Sequence, residues 1–245
     1  MGLVDALAAD GLVAVVGAGG KKSTLYALAE RLDRAVVTAT VRIPIFDPNV
    51  AEVTVTDDPV TTLEHAFDDP ERFPLGLVPE REDDRYHGYD PETVALLAQR
   101  SEADAVLVKA DGARAREFKA PGENEPRIPR TADTVIPVVS AHVEGQPLTD
   151  EHVHRPERVA DLTGLSAGER IEAGDVATVL TSPEGGLKGV PEGATVVPVV
   201  NKVDGAADEA AANRIGNRLV DHDRIDGVAL TRLAAPDDPL VSVLY

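Results

Sequence analysis

The sequence predicts an α/β fold of the P-loop NTPase type: a mostly parallel sheet with helices on both faces. Three observations carry that expectation. Short runs of Val, Ala and Leu alternate with helical patterns along the chain, as βαβ crossovers require. The first run, Leu12-Val13-Ala14-Val15-Val16, empties into Gly17-Ala18-Gly19-Gly20-Lys21-Lys22-Ser23-Thr24, and a helical pattern follows at once. Two later runs end in Lys109-Ala110-Asp111-Gly112 and in Asn201-Lys202-Val203-Asp204, polar groups placed where open α/β sheets bind ligands.

The elements follow in order. After the strand at 12–16, Leu25, Leu28, Ala29 and Leu32 share one helix face. Residues 35–38 form a second buried strand, and 51–56 alternate as an edge strand does. Asp90-Pro91 opens a helix, with Asp at the N-cap and Pro at the first helical position, and Val94, Leu97 and Ala98 line its face. Residues 105–110 are a third core strand. Residues 134–139 are another, which Pro137 pushes toward a sheet edge because proline has no N–H for the ladder. The stretch 113–130 reads as a long loop, and loops of that length inside a domain are usually functional or disordered. A short helix at 175–181 stops at Ser182-Pro183-Glu184-Gly185-Gly186. A strand at 195–200, a helix at 206–221 with Ala211, Ile215 and Leu219 on one stripe, and a last core strand at 228–230 complete the pattern. With no repeat and no clear linker, residues 1–245 read as a single P-loop nucleotide-binding domain with a long loop or insertion around 113–170.

Composition narrows the function classes. The 245 residues include 43 acidic and 24 basic side chains, for a net charge of −19. Such a surface repels nucleic acid and anionic membranes at long range, so neither is expected as a partner. It suits solvation in a high-salt interior; the alternative is a basic partner protein. Cysteine is absent, which excludes disulfides and thiolate metal sites. No apolar run reaches the length of a membrane span, and no signal peptide is visible, so a cytoplasmic location is expected. Five of the six lysines fall beside the motifs: Lys21, Lys22, Lys109, Lys119 and Lys202.

Strand, glycine-rich turn, lysine, hydroxyl and helix together wrap a polyphosphate. Glycines 17, 19 and 20, with Ala18, let backbone N–H groups approach phosphate oxygens; the lysine adds a mobile charge; a Ser or Thr hydroxyl reaches Mg²⁺. The loop is shorter than the standard G-x-x-x-x-G-K-[ST], since Val15 stands five before Gly20, and Lys22 stands where the hydroxyl belongs. Asp111, at the end of a core strand, is the expected Mg²⁺ carboxylate, working through a water and dispensable for folding. Asn201-Lys202-Val203-Asp204 after a strand is the pattern of a guanine reader. The Asp204 carboxylate accepts from N1–H and N2–H₂, the Lys202 stem packs along the base, and Asn201 braces the loop. Arg114, Arg116 and Lys119 are expected to reach a γ-phosphate or an anionic second substrate. Thr38 and Thr40 end a strand near the same edge and are candidates for sensing the γ-phosphate. His152 and His154 lack a fixed third metal ligand, so His154-Arg155 reads as a helix start or pocket element.

These motifs and their surroundings resemble the YqeC-like family, described as accessory proteins of selenium-dependent molybdenum hydroxylases. The resemblance covers most of the chain. It rests on Val16-Gly17-Ala18-Gly19-Gly20-Lys21, Val37-Thr38-Ala39-Thr40, Ala110-Asp111-Gly112-Ala113-Arg114 and Phe118-Lys119-Ala120-Pro121. It continues in Glu125-Pro126, Ile128-Pro129, His154-Arg155-Pro156-Glu157 and Asn201-Lys202-Val203-Asp204. It implies a P-loop nucleotide-binding protein linked to maturation of a molybdenum enzyme. Three departures stand out. The family loop reads Gly-Gly-Lys-Thr, but Lys22 replaces the Thr, so the Mg²⁺ hydroxyl falls to Ser23 or else Thr24. Lys109 occupies a place that is usually Glu. Ala39 interrupts a run of three threonines.

The expected function is therefore a GTP-binding accessory or maturation protein for a selenium-dependent molybdenum hydroxylase, acting as a slow GTPase switch whose 113–130 loop responds to nucleotide. GTP, with ATP as the alternative, and Mg²⁺ are the expected cofactors, and a molybdenum enzyme or its cofactor the expected partner. Asp111, Arg114, Lys119 and Thr40 are the candidate catalytic residues. Gly17 to Thr24 with Asn201, Lys202 and Asp204 are the candidate nucleotide contacts, and Ser23 with Asp111 the candidate metal ligands. The alternatives are a kinase or nucleotidyltransferase acting on a small anionic substrate, or a nucleotide-binding module without chemistry.

Overall fold

The structure is a computed structural model that describes residues 1–235 and 237–245. Fourteen strands are present among these residues: β1 (Gly11–Gly17), β2 (Ala35–Ala39), β3 (Ile43–Pro44), β4 (Glu52–Val55), β5 (Leu75–Val78), β6 (Arg85–Tyr86), β7 (Ala105–Lys109), β8 (Phe118–Lys119), β9 (Thr134–Ser140), β10 (Val153–His154), β11 (Thr195–Val196), β12 (Val199–Asn201), β13 (Val228–Thr231) and β14 (Leu240–Leu244). The helices are α1 (Leu3–Ala6), α2 (Lys21–Ala29), α3 (Pro59–Ala66), α4 (Pro91–Gln99), α5 (Pro156–Thr163), α6 (Ala173–Thr181) and α7 (Ala206–Leu219).

One large sheet runs in the order β14-β13-β12-β9-β1-β7-β2-β5-β4, with β11 also paired to β9. Every pair is parallel except β13 with β14. The fold is thus α/β with a mostly parallel sheet, consistent with the P-loop NTPase class. Parallel sheets are covered on both faces, and the sequence shows why this one must be. In β1, Val13 and Val15 face α2 through Leu25 and Leu28, while Leu12, Ala14 and Val16 join the opposite layer with Leu63 of α3 and Val94 and Leu97 of α4. That second face continues over β12 and β13, where Val200, Val228 and Leu230 pack on Val176 and Leu180 of α6 and Ile215 and Leu219 of α7.

The strand holding Pro137 is central, not an edge: β9 lies between β1 and β12. The reason is a gap in its neighbour. The expected strand at 195–200 is split into β11 and β12, and Val197 and Pro198 between them fall opposite Ile136 and Pro137. Val197 N–H still donates to the Val135 carbonyl, so odd positions of β9 turn their polar groups to this side. The missing N–H of Pro137 therefore faces the interruption, and the ladder to β1 on the other side stays intact.

Residues 113–130 are irregular, as expected, except for β8, which pairs in parallel with β10. The segment is a packed strap: Phe118, Lys119 and Ala120 are buried, as is Ile128. Elements absent from the sequence reading are α1, α3, β5, β14 and the small β3–β6 and β8–β10 pairs; α5 is anticipated only by its start at His154-Arg155.

Candidate functional site

Because the strands are parallel, β1, β2, β7, β9 and β12 all end at one edge of the sheet. The three motifs meet there. A cleft of about 530 Å³ opens at this edge, lined by Gly19, Gly20, Lys21, Lys22 and Ser23 from the glycine loop and α2. Lys109 and residues 112–117 line a second side, and Asn201, Lys202, Asp204, Leu233 and Ala234 a third; Arg42, Pro44 and Arg85 arrive from the β3–β6 pair. Volumes of this size accommodate small-molecule cofactors. Eight lining residues are basic (Lys21, Lys22, Arg42, Arg85, Lys109, Arg114, Arg116, Lys202) and two acidic (Glu117, Asp204). In a chain of net charge −19, that reversal of sign marks an anion site.

The glycine loop is fixed by close backbone approaches. A Cβ at Gly17 would lie 2.2 Å from the Val138 carbonyl oxygen, and one at Gly19 would lie 2.5 Å from Ser140 N. Both glycines have positive φ, 93° and 82°. Three N–H groups expected to cradle phosphate have protein partners. Gly17 N–H donates to Asp111 Oδ2 at 2.9 Å, Ala18 N–H to the Val138 carbonyl at 2.8 Å, and Gly19 N–H to the Arg116 carbonyl at 2.9 Å. What faces the cleft is the start of α2. First-turn N–H groups have no intrahelical acceptor, and no side chain caps this helix. Its positive dipole end and Lys21 to Ser23 form the anion-facing wall.

Asp111 is the hub behind that wall. Its side chain is 2% exposed, with Oδ1 2.9 Å from Lys21 Nζ and Oδ2 2.8 Å from Lys119 Nζ. Burial alone would raise its pKa, but the two ammonium groups and the Gly17 N–H outweigh that and hold it below the usual carboxylate range. Lys21 also donates to the Gly17 carbonyl, so it locks the loop from beneath. Burial pulls its pKa below the ordinary lysine value despite Asp111. Lys119 donates to the Gly112 carbonyl at 2.6 Å and pairs with Glu125 at 3.1 Å, and Arg155 pairs with Glu125 at 2.7 Å. Asp111 thus has a structural part that the sequence reading did not give it.

Asn201 braces the loop as expected: its amide donates to the Gly19 carbonyl at 3.0 Å. Lys202, at φ 65°, is held by Glu117 of the strap, with Nζ 2.6 and 2.8 Å from the two carboxylate oxygens. Asp204 is exposed on the same cleft wall. Among the described residues five non-glycine residues have positive φ, and four of them are Arg114, Ala115, Arg155 and Lys202, all around this site. Such backbone costs of order 1–3 kcal/mol each and tends to gather at functional sites.

Residues 13–157 match the family model described as YqeC protein. The chain belongs to the YqeC family. It is 33% identical over 226 residues to "Uncharacterized protein YqeC" of Escherichia coli (strain K12), an alignment covering 86% of this chain and 84% of that protein.

Within this YqeC chain the other expected residues are placed as follows. Arg114 lines the cleft, whereas Lys119 is turned into the hub behind it. Thr40 is fully buried and its hydroxyl donates to the Arg127 carbonyl at 2.7 Å; Thr38 likewise bonds the Leu77 carbonyl. Both hydroxyls hold backbone and neither lines the cleft. His154 sits on β10 and Arg155 occupies the N-cap position of α5 without a side-chain cap. The sequence reading missed Arg42 and Arg85 as wall residues, and Glu117 as the partner of Lys202. Their arrival depends on nonlocal pairing that leaves no local signal.

The donors fit Mg²⁺ poorly. A nucleotide-bound Mg²⁺ takes one or two carboxylates or hydroxyls besides phosphate oxygens. Both oxygens of Asp111 lie in ion-pair contact with buried lysines, although Oδ1 has no hydrogen-bond partner; both oxygens of Glu117 are held by Lys202, and Thr24 is fully buried. Ser23 alone contributes a hydroxyl-bearing residue to the glycine-loop wall.

Proposed function

We propose that this protein binds a nucleoside triphosphate, GTP in preference to ATP, and acts as a nucleotide-dependent accessory factor in maturation of a selenium-dependent molybdenum hydroxylase. The observation that carries the reading is the cationic cleft where the strand ends of all three motifs meet. The start of α2 and Lys22 receive the polyphosphate, while Lys21 holds the loop from behind. Asp204, on the wall contributed by the β12 end, reads the base, and Asn201 keeps that wall in register with the glycine loop. The link to a molybdenum enzyme rests on family resemblance alone. The strap, bonded to the loop through Arg116 and to the base-reading turn through Glu117, is the element through which nucleotide state reaches a client.

A second reading is favoured by Arg42 and Arg85, which extend the cationic wall beyond Lys109. It is a transferase that passes a phosphoryl or nucleotidyl group to a small anionic acceptor held there. The test of the main reading is competition among GTP, ATP and XTP for wild type and Asp204→Asn. A carboxylate facing adenine N1 loses a charge-assisted pair, so GTP is expected to win by roughly 100-fold. Asp204→Asn should move the preference toward XTP. Equal affinities for GTP and ATP in wild type would reduce Asn201 to Asp204 to a polar turn. Turnover only when a second substrate is present would favour the transferase.

A further inference from the structure

Lys109 ends β7 with a side chain that is almost completely buried, yet it lines the cleft. An ammonium group has three protons to donate. Here one acceptor is found, the Arg42 carbonyl at 2.9 Å, and among the described residues no carboxylate is in ion-pair contact with Nζ. A buried charge without a counter-ion is costly, so the arrangement calls for an anion from outside. Lys22 lies on the adjoining wall, exposed, and among the described residues it too is without an ion pair. Against these two uncommitted ammonium groups stand carboxylates that are committed. Asp111 is flanked by the Lys21 and Lys119 ammonium groups, which leave its buried Oδ1 without a hydrogen bond but shut it from the cleft, and Glu117 is closed on Lys202.

We propose that this site takes its polyphosphate as the metal-free anion, with the ammonium groups of Lys22 and Lys109 supplying the positive charge that a divalent cation supplies elsewhere. The inference rests on the nucleotide reading above and concerns the form in which that ligand binds. Lys22 stands where the metal's hydroxyl belongs in the standard loop, and Lys109 lies two residues before the strand-end Asp111. Lys22 puts a cation where the standard loop has a metal donor, and both ammonium groups would repel a metal ion while attracting phosphate. An incoming triphosphate gives Lys109 the acceptors it lacks and adds no second charge centre beside Asp111.

The experiment is titration calorimetry with GTP, ATP and inorganic tripolyphosphate. Each is run in EDTA and in excess Mg²⁺ at matched ionic strength. Binding in EDTA is expected to equal or exceed binding in Mg²⁺. Lys109→Met keeps the apolar stem and should weaken binding in EDTA by about 10-fold or more, the scale of a charge-assisted contact. Lys22→Thr is exposed and safe for folding; it should weaken binding in EDTA and make Mg²⁺ favourable to it. Nucleotide binding that requires Mg²⁺ would overturn this inference and leave the nucleotide reading standing. Tripolyphosphate binding in EDTA without nucleotide binding would keep the metal-free site and remove the nucleotide. No binding of any of the three removes both. Unchanged affinity in EDTA for both folded variants would overturn the assignment to these lysines.

Discussion

The side-chain amide of Asn201 donates to the carbonyl oxygen of Gly19 at 3.0 Å, tying the end of β12 to the glycine loop at the end of β1. The other half of the amide is equally engaged. Asn201 Oδ1 accepts from Thr231 Oγ1 at 3.1 Å and from Leu233 N–H at 3.2 Å. One buried side chain therefore sets the spacing between the glycine-loop wall and the wall at the end of β12. Asn201→Ala leaves three buried partners unsatisfied. The expected loss is about 2–4 kcal/mol, since each orphaned group costs ~1–3 kcal/mol and relaxation recovers part. Guanidinium unfolding measures it. Asn201→Asp keeps the acceptor and should recover only the share belonging to Thr231 and Leu233. A midpoint unchanged by Asn201→Ala would show that the two walls are held by something else.

Asp111 and Lys21 are expected to act as a unit. Removing either leaves a buried charge with one partner fewer, and breaking such a pair typically costs ~3–5 kcal/mol. Lys119 remains beside Asp111, so Lys21→Met should fall at or below the lower end of that range. Asp111→Asn should destabilise more, because it leaves Lys21 and Lys119 facing each other across a neutral amide. The double variant should cost less than the sum of the singles, a coupling that unfolding of all four proteins reads directly. Additive effects would mean that the 2.9 Å contact contributes no specific energy.

Acid should loosen the strap through Glu125. Burial would raise its pKa, but the Lys119 ammonium and the Arg155 guanidinium bring it down from 4.5 to about 2. A carboxyl whose folded pKa lies below its unfolded value contributes stability that is complete above about pH 4.5. That stability is lost as pH falls through the folded value. The difference in stability between wild type and Glu125→Gln should therefore be largest at neutral pH and shrink between pH 4.5 and 2, with an upper scale of about 3 kcal/mol. Taking the difference cancels the many surface carboxylates that titrate in both proteins. A gap that stays constant over this range would assign the effect to lost hydrogen bonds rather than to charge.

How much of this was legible in the sequence depends on how local each signal is. Leu12 to Val16 and Ala105 to Val108 are continuous apolar runs followed by special residues, and both lie in the strands expected of them. The convergence of Asp111 and Asn201 on the glycine loop follows from parallel strands ending at one edge. Pro137 misled because its effect depends on Pro198, its partner across the β9–β12 gap, and no window of sequence contains both. The hub was hidden for the same reason. Lys119 and Glu125 sit in a stretch without periodicity, and Arg155 joins them only because β8 pairs with β10. Thr40 read as a phosphate sensor from its position alone; the partner that takes its hydroxyl, Arg127, is 87 residues away.

Glu117 decides whether Lys202 is available to a ligand. Both carboxylate oxygens hold Lys202 Nζ, so a base lying along the lysine stem must compete with the strap for that ammonium group. The pair is partly exposed, with the lysine side chain 36% and the glutamate 24% accessible, so it contributes little stability, on the order of 1 kcal/mol or less. Its effect on anion binding is expected to be larger, because Glu117 places a negative charge on the wall of a mostly cationic cleft. Glu117→Gln should leave the thermal midpoint within a few degrees and raise GTP affinity by about 3–10-fold, as removal of one repulsive charge at intermediate screening predicts. Tripolyphosphate separates the two causes. An equal gain for tripolyphosphate and GTP would mean that only the repulsion mattered; a larger gain for GTP would mean that freed Lys202 reaches the base. Lys202→Ala in the Glu117→Gln background should then abolish the extra gain for GTP and leave tripolyphosphate nearly unchanged. A fall in GTP affinity on Glu117→Gln would give Glu117 the opposite part, that of holding Lys202 in the position the ligand uses.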